Sequence, residues 1–220
     1  MIILCTHNSG GVGKTTLAVH VAGILASQST GGTLLIDCDD QSDSWWFYAN
    51  RKPKFSQEVL VVGESLSVIE NHKRHKIRTL VNMEEYDNIV LDIDTPLKNT
   101  VQTIVQNAPD MVLVPISKPH EDKGLMHLPG ILNVMATLQT KGGFSPKVII
   151  VPLGIAQDNV LNQLEKVPVK PQFCRVASAI RNLQDQMSHA IFKQRQYIWD
   201  YDEQCQDLYD YFCVLLGVNK

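Results

Sequence analysis

The segment NSGGVGKTT, residues 8–16, constrains the fold more than any other part of the chain. It follows an apolar run at residues 1–6 and leads into a helix-like stretch over residues 14–26. In a glycine-rich loop between a strand and a helix, backbone N–H groups can turn inward around a phosphate. The start of the helix adds the positive end of its dipole. The sequence therefore predicts a phosphate-binding loop.

The side chains of this loop suit the phosphates of a nucleotide and a magnesium ion. Lys14 can reach the β- and γ-phosphates, and the Thr15 hydroxyl can ligate Mg²⁺. We expect the phosphates of a nucleotide, with Mg²⁺, to be held by Ser9, Gly10, Gly11, Val12, Gly13, Lys14, Thr15 and Thr16. The standard loop pattern has glycine at the position of Asn8, so this loop departs from it.

Further apolar runs end in polar or glycine-rich turns, and helical segments separate them. These runs cover residues 33–36, 59–62, 89–93, 111–116 and 148–151, and a basic segment predicted as helical occupies residues 72–81. Runs that are apolar at every position are typical of parallel strands covered on both faces. We predict a doubly wound, mostly parallel α/β sheet with helices on both faces, in a single domain over residues 1–220.

Composition excludes several other classes of protein. The chain has 220 residues, of which 44% are hydrophobic and 20% charged, which fits one large domain and excludes a mainly disordered chain. No apolar run reaches the length of about 18 residues expected of a transmembrane helix. No basic region precedes the first apolar run, so we expect no secretory signal. The five cysteines form no CxxC pair, which argues against a zinc cluster or disulfide framework and favours a reducing cytosol.

Three motifs together resemble those of the ParA/MinD family of ATPases. They are the loop GGVGKTT, the acidic segment LLIDCDDQ at residues 34–41 and the segment YDNIVLDIDTP at residues 86–96. The run at residues 111–116 and the segment IWDY at residues 198–201 extend the resemblance over most of the chain. The resemblance implies a P-loop NTPase fold and hydrolysis of ATP to ADP and phosphate.

The resemblance also assigns roles to acidic residues. Asp37 stands where the family has the residue that orients the attacking water, and a carboxylate there can also serve Mg²⁺. Asp92 has the spacing of the family's aspartate that holds the Mg²⁺ hydration shell, whereas Asp94 matches the family's D-T-P ending. We favour Asp92 and keep Asp94 as the alternative. The expected catalytic residues therefore include Asp37 and Lys14, and the expected metal site comprises Thr15, Asp92 and Asp37.

Ser9 occupies the position of the family's signature lysine, which reaches the partner's nucleotide across a dimer. A serine cannot supply positive charge to the transferring phosphoryl group. Either the protein is a weak or inactive ATPase, or another lysine serves, for which Lys118 and Lys123 are the candidates. A serine here also resembles the carboxysome-positioning, McdA-type branch, which we favour as the subtype while leaving plasmid or other cargo open.

The family resemblance implies a homodimer in the ATP state, binding to nonspecific DNA, and a small ParB- or McdB-like adaptor that stimulates hydrolysis. The net charge of −3 argues against a protein that coats nucleic acid, so DNA binding would need a local basic patch. Residues 147–199 hold seven basic and three acidic residues, a net charge of +4. The DNA-binding candidates in this segment are Lys170, Arg175, Arg181, Lys193 and Arg195.

The final apolar segment of the chain is acidic, which argues against membrane binding. We therefore expect a cytoplasmic, nucleoid-associated protein. Two other functions stay open: a nucleotide-dependent binding module with little turnover, and a metabolic P-loop enzyme of the same fold. Iron–sulfur enzymes of this fold need paired cysteines, and the sequence has none.

Overall fold

The computed structural model describes residues 1–218, which fall into two compact units. The first unit comprises Met1, Thr15–Asp92 and the residues from Asp185 onward, and the second comprises Ile2–Lys14 and Ile93–Gln184. The last two positions of the predicted domain, Asn219 and Lys220, lie outside the described residues. A single domain over residues 1–220 stays a prediction.

Strands and helices alternate along most of the chain. Over residues 1–218 the strands are β1 (Ile2–Cys5), β2 (Thr33–Cys38), β3 (Val59–Val62), β4 (Leu66–Glu70), β5 (Asn88–Ile93), β6 (Met111–Ser117), β7 (Lys147–Leu153) and β8 (Cys174–Val176). The helices are α1 (Lys14–Gln28), α2 (Asp43–Ala49), α3 (Leu97–Asn107), α4 (Glu121–Gly142), α5 (Gln157–Glu165), α6 (Gln184–His189), α7 (Ile198–Tyr201) and α8 (Asp207–Leu216). None of the helices within residues 1–218 is both long and apolar enough to cross a lipid bilayer.

The strand pairings confirm the predicted mostly parallel α/β fold. The strand order is β3-β4-β2-β5 in the first unit and β1-β6-β7-β8 in the second. Strand β2 pairs in parallel with β4, and the pairs β1–β6, β6–β7 and β7–β8 are also parallel. Every residue of β2 and β6 is buried, as expected of strands covered on both faces.

The run at residues 59–62 forms a strand, but the prediction of a buried parallel strand there is wrong. Strand β3 pairs antiparallel with β4, and Val59 and Val61 are exposed. Because β3 ends the strand order, one of its edges has no neighbouring strand among residues 1–218. Alternating exposure is typical of such antiparallel strands. Strands β4 and β8 were not predicted; the three residues of β8 are too few to show a pattern.

The prediction of a helix over residues 72–81 is wrong. Within this segment the structure has only a 3₁₀ turn, at Ile77–Thr79. The Asn71 side chain accepts a hydrogen bond from the His75 backbone N–H and donates one to the His75 carbonyl, each 3.0 Å long. Arg74 has a φ of 54°, which lies outside the right-handed helical region. These local bonds hold the segment in a turn instead of a helix.

A buried histidine anchors the first turn of α1 within the first unit. His20 Nε2 accepts a hydrogen bond from the Ile198 backbone N–H at 3.0 Å, and Nδ1 lies 2.7 Å from the Thr16 carbonyl oxygen. Complete burial lowers the pKa of His20 to about 4, so the ring is neutral and Nδ1 carries the proton. The bond pair ties the helix that follows the loop to the start of α7.

Candidate functional site

The loop between β1 and α1 contains two glycines with left-handed backbone conformations. Gly11 has a φ of 74° and Gly13 a φ of 100°. A Cβ atom on Gly11 would clash with the ring of His120, and one on Gly13 would lie 2.6 Å from a methyl carbon of Leu153. Glycine is the residue that adopts such conformations without strain. The loop therefore has the backbone that a cradle of N–H groups around an anion requires.

Positive charge adjoins this loop at the start of α1. The helix begins at Lys14, and its first turn contains no acidic residue that would offset the positive end of its dipole. Lys14 is buried, and its Nζ donates a hydrogen bond to the Ser9 carbonyl at 3.3 Å. The loop, the helix start and the ammonium group together fit the phosphates of a nucleotide.

Ser9 turns inward, and each of its polar groups has a hydrogen-bond partner within the second unit. Its Oγ lies 2.7 Å from Nδ1 of His127 in α4, and its backbone N–H donates to Nδ1 of His7 at 3.0 Å. Burial and the nearby Lys14 lower the pKa of His7 to about 4, which keeps that ring neutral and able to accept. Sequence reasoning missed His127, because nothing in the sequence relates it to a loop far along the chain.

Two buried carboxylates lie close together in the first unit, at Asp37 in β2 and Asp92 in β5. Burial, and secondly the Asp92 carboxylate, raise the pKa of Asp37 well above its usual value. Asp37 accepts hydrogen bonds from the backbone N–H groups of Trp45, at 2.7 Å, and Asp39, at 3.1 Å. Asp92 accepts a 2.6 Å bond from the Ser44 hydroxyl. Two carboxylates that repel each other in this way are suited to share the field of a divalent cation.

This carboxylate pair fits the chemistry of Mg²⁺. Among residues 1–218, no three His, Cys, Asp or Glu side chains are grouped to hold a metal. Mg²⁺ usually keeps several waters and takes only one or two carboxylates plus substrate phosphates, so a larger protein cage is not required. Thr15 lies in the first turn of α1, in the same unit as Asp37 and Asp92. Asp94 lies in the second unit, where Asn99 Nδ2 donates to its carboxylate at 2.7 Å.

Lys118, a candidate for the missing lysine, has a carboxylate partner. Its Nζ donates to Glu121 Oε2 at 2.6 Å, and the other oxygen of Glu121 accepts a 2.7 Å bond from Asn159 Nδ2. These bonds lower the pKa of Glu121 and hold its negative charge beside the ammonium. Lys123 lies exposed in the first turns of α4.

The five DNA-binding candidates are divided between the two units. Lys170, Arg175 and Arg181 belong to the second unit, and all three are exposed. Lys193 and Arg195 belong to the first unit, where Lys193 is exposed and Arg195 is half-buried. Four of the five residues are thus exposed, as DNA binding would require.

Replacing Gly11 with alanine should weaken nucleotide binding by about tenfold or more, because a side chain there strains the left-handed loop and meets His120. Gly143→Ala is the matched control, since Gly143 has a similar φ of 70° but open space around it at the end of α4. The control should lose stability without losing affinity for ATP, as titration with a fluorescent nucleotide would show. Equal affinities for the two variants would contradict the assignment of the loop.

The left-handed glycine loop, the lysine at the helix start and the parallel sheet define a phosphate-loop α/β domain. Residues 3–191 match the profile of the family described as the CobQ/CobB/MinD/ParA nucleotide binding domain. Because this match covers most of the chain, the protein belongs to that family.

One relative bears the name of a carboxysome distribution protein. Maintenance of carboxysome distribution protein A from Gloeobacter kilaueensis is 29% identical over 115 residues, which make up 52% of this chain and 48% of that protein. The chain thus spans about half the length of the curated relative that it matches.

Solved structures of McdA from Cyanothece share the fold. Apo McdA superposes with a TM-score of 0.76 and 18% identity, covering 96% of each chain. The ATP complex of an aspartate-to-alanine variant of McdA also gives a TM-score of 0.76, with 17% identity, covering 100% of this chain and 97% of that one.

Proposed function

We propose that this protein is a ParA-type positioning ATPase that hydrolyses ATP. The observation that carries the proposal is the loop itself, in which Gly11 and Gly13 adopt left-handed conformations directly before Lys14 and α1. A phosphate cradle at a helix start suits the phosphates of a nucleoside triphosphate. Membership of a nucleotide-binding family supports the same conclusion.

Each predicted site residue then has a defined task. Lys14 and the loop N–H groups bind the phosphates, and Thr15, Asp92 and Asp37 hold Mg²⁺ and its water shell. The ion, when bound, screens the charge of the phosphates. Asp37, whose side chain is buried at the end of β2, orients the attacking water. The hydrogen bonds from Trp45 and Asp39 fix the position of its carboxylate.

The proposed cycle turns this site into a switch. The ATP state is a homodimer that holds nonspecific DNA through Lys170, Arg175, Arg181, Lys193 and Arg195, and a small ParB- or McdB-like adaptor stimulates hydrolysis and release. Such DNA binding is directed at phosphates and weakens steeply with salt. The carboxysome is the favoured cargo, because a relative bears the name of a carboxysome distribution protein. The protein would then act in the cytoplasm, on the nucleoid.

The proposal is tested by measuring ATP hydrolysis with and without nonspecific DNA and a candidate adaptor, together with molecular size in ATP and in ADP. We expect a dimer in ATP, retention on DNA in low salt, and hydrolysis that rises when the adaptor is added. A monomer in both nucleotides that does not bind DNA would contradict the proposal. The inward turn of Ser9 favours one alternative, a nucleotide-dependent binding module, which predicts dimers without adaptor-stimulated turnover.

Lys118→Ala should lower hydrolysis about tenfold if Lys118 replaces the missing lysine, because transition-state charge would lose a cation. Glu121→Gln should raise hydrolysis, since it releases Lys118 from its ion pair. Steady-state hydrolysis rates are measured for these two variants and for Lys123→Ala. They show whether Lys118 or Lys123 replaces the missing lysine. Normal rates for both Lys118→Ala and Lys123→Ala would show that neither lysine serves.

A further inference from the structure

We infer that His127 is a positioning residue for the phosphate loop, acting through Ser9, and that this contact links the loop to the first half of α4. The inference deepens the proposed function, because the ligand of the loop is taken to be ATP. It concerns only residues of the second unit. The evidence consists of the bonds made by Ser9 and an irregularity in α4 next to His127.

Three bonds hold Ser9 at the start of the loop. His7 accepts from its N–H, Lys14 donates to its carbonyl, and His127 bonds its hydroxyl. Only 1% of Ser9 is exposed, so water cannot readily replace a lost partner. A hydroxyl can donate or accept, and the bond to His127 therefore forms with either tautomer of the ring. Fixing Ser9 fixes the residue from which the glycine loop begins.

His127 is the member of this set that belongs to a different element. The other two partners, His7 and Lys14, flank the loop in sequence. His127 lies in the second turn of α4, so the 2.7 Å bond to Ser9 Oγ is a tertiary contact. Displacement of the loop on binding a ligand must either stretch this bond or move the helix.

Helix α4 lacks a backbone hydrogen bond beside His127. Pro129 lies inside the helix and has no N–H to donate to the carbonyl of Leu125, four residues earlier. Gln163 Nε2 of α5 donates to that carbonyl instead, at 3.2 Å. A helix whose hydrogen-bond ladder is interrupted bends more easily at that point. The turn that bears His127 is thus the part of α4 most able to respond to the loop.

Affinity for ATP with Mg²⁺ is measured for Ser9→Ala, His127→Leu, the double variant and His127→Asn. We expect each of the first two to bind about five- to tenfold more weakly, as for loss of a buried hydrogen bond. The double variant should lose no more than either single variant, because both remove the same contact. His127→Asn, whose amide can take the place of Nδ1, should bind within about twofold of the unsubstituted protein.

Hydrogen exchange of residues 124–132 provides a readout that does not depend on nucleotide. Without ligand, Ser9→Ala and His127→Leu should exchange faster in this segment, and His127→Asn should not. Ser117→Ala is the matched control: the Ser117 hydroxyl also bonds the loop, at the Gly11 carbonyl, but does not bond His127. It should weaken ATP binding without changing exchange in α4.

Additive losses of affinity in the double variant, or unchanged exchange in Ser9→Ala, would overturn the inference. Lys14→Ala separates this failure from a failure of the proposed function. If the unsubstituted protein binds ATP no better than Lys14→Ala, the proposed function fails. Hydrogen exchange of residues 124–132, measured without nucleotide, then still shows whether Ser9 and His127 are linked.

Discussion

Lys14→Ala should weaken the binding of ATP with Mg²⁺ by about a hundredfold or more and abolish ATP-dependent dimerisation. The side chain is buried against the loop, and its ammonium already lies 3.3 Å from the Ser9 carbonyl. Removing it takes away the charge that offsets the β- and γ-phosphates and leaves only neutral backbone donors. Calorimetric titration with ATP, followed by light scattering for molecular mass, measures both effects.

Lys141→Ala is the matched control for this prediction. Lys141 is exposed in the last turn of the same helix that carries His127, far along the chain from the loop. Its loss should leave affinity and dimerisation unchanged, since charges on exposed lysines contribute little. If Lys14→Ala still bound ATP within about threefold of the unsubstituted protein, the loop would not be the phosphate site.

The fold was predictable where burial makes the sequence uniformly apolar. Strands β2, β5, β6 and β7 are almost entirely buried, and each contains an apolar run that was assigned as a strand. Prediction failed for β3, at the edge of the sheet, and for the turn that follows β4. There, pairing with a single neighbour and side-chain bonds such as those of Asn71 decide the structure, and neither leaves a periodic pattern.

The candidate site was predictable as far as it is local in sequence. The loop is one contiguous segment, and its glycines indicate the left-handed backbone found at Gly11 and Gly13. The partner of Ser9 was not predictable, because the His127 contact depends on how α4 packs. The assignment of Asp37 came from a resemblance to a family, whereas its close approach to Asp92 is a property of the folded chain.

Asp37→Asn should lower ATP hydrolysis by on the order of a hundred- to a thousandfold, because a carboxamide cannot accept a proton from water. Binding of ATP should be retained, since the loop is intact. In the variant, the Trp45 and Asp39 N–H groups compete for the single oxygen of the asparagine side chain. The variant therefore loses about one hydrogen bond. Single-turnover hydrolysis beside equilibrium binding separates these two quantities.

The same variant should gain stability relative to the unsubstituted protein as pH rises. Folding raises the pKa of Asp37, so its favourable contribution is complete below the ordinary value of 3.8 and is lost as pH rises through the raised value. The asparagine has no such dependence, so the free energy of unfolding of Asp37→Asn minus that of the unsubstituted protein must rise as the pH increases above about 4. Urea unfolding without Mg²⁺ or nucleotide measures it. Asp43→Asn is the control for hydrolysis, which it should retain. The pKa of Asp43 is also raised, but by burial alone. If this signed difference stayed constant or fell as the pH rose, folding would not raise the pKa of Asp37, and the repulsion from Asp92 that a bound cation relieves would be absent.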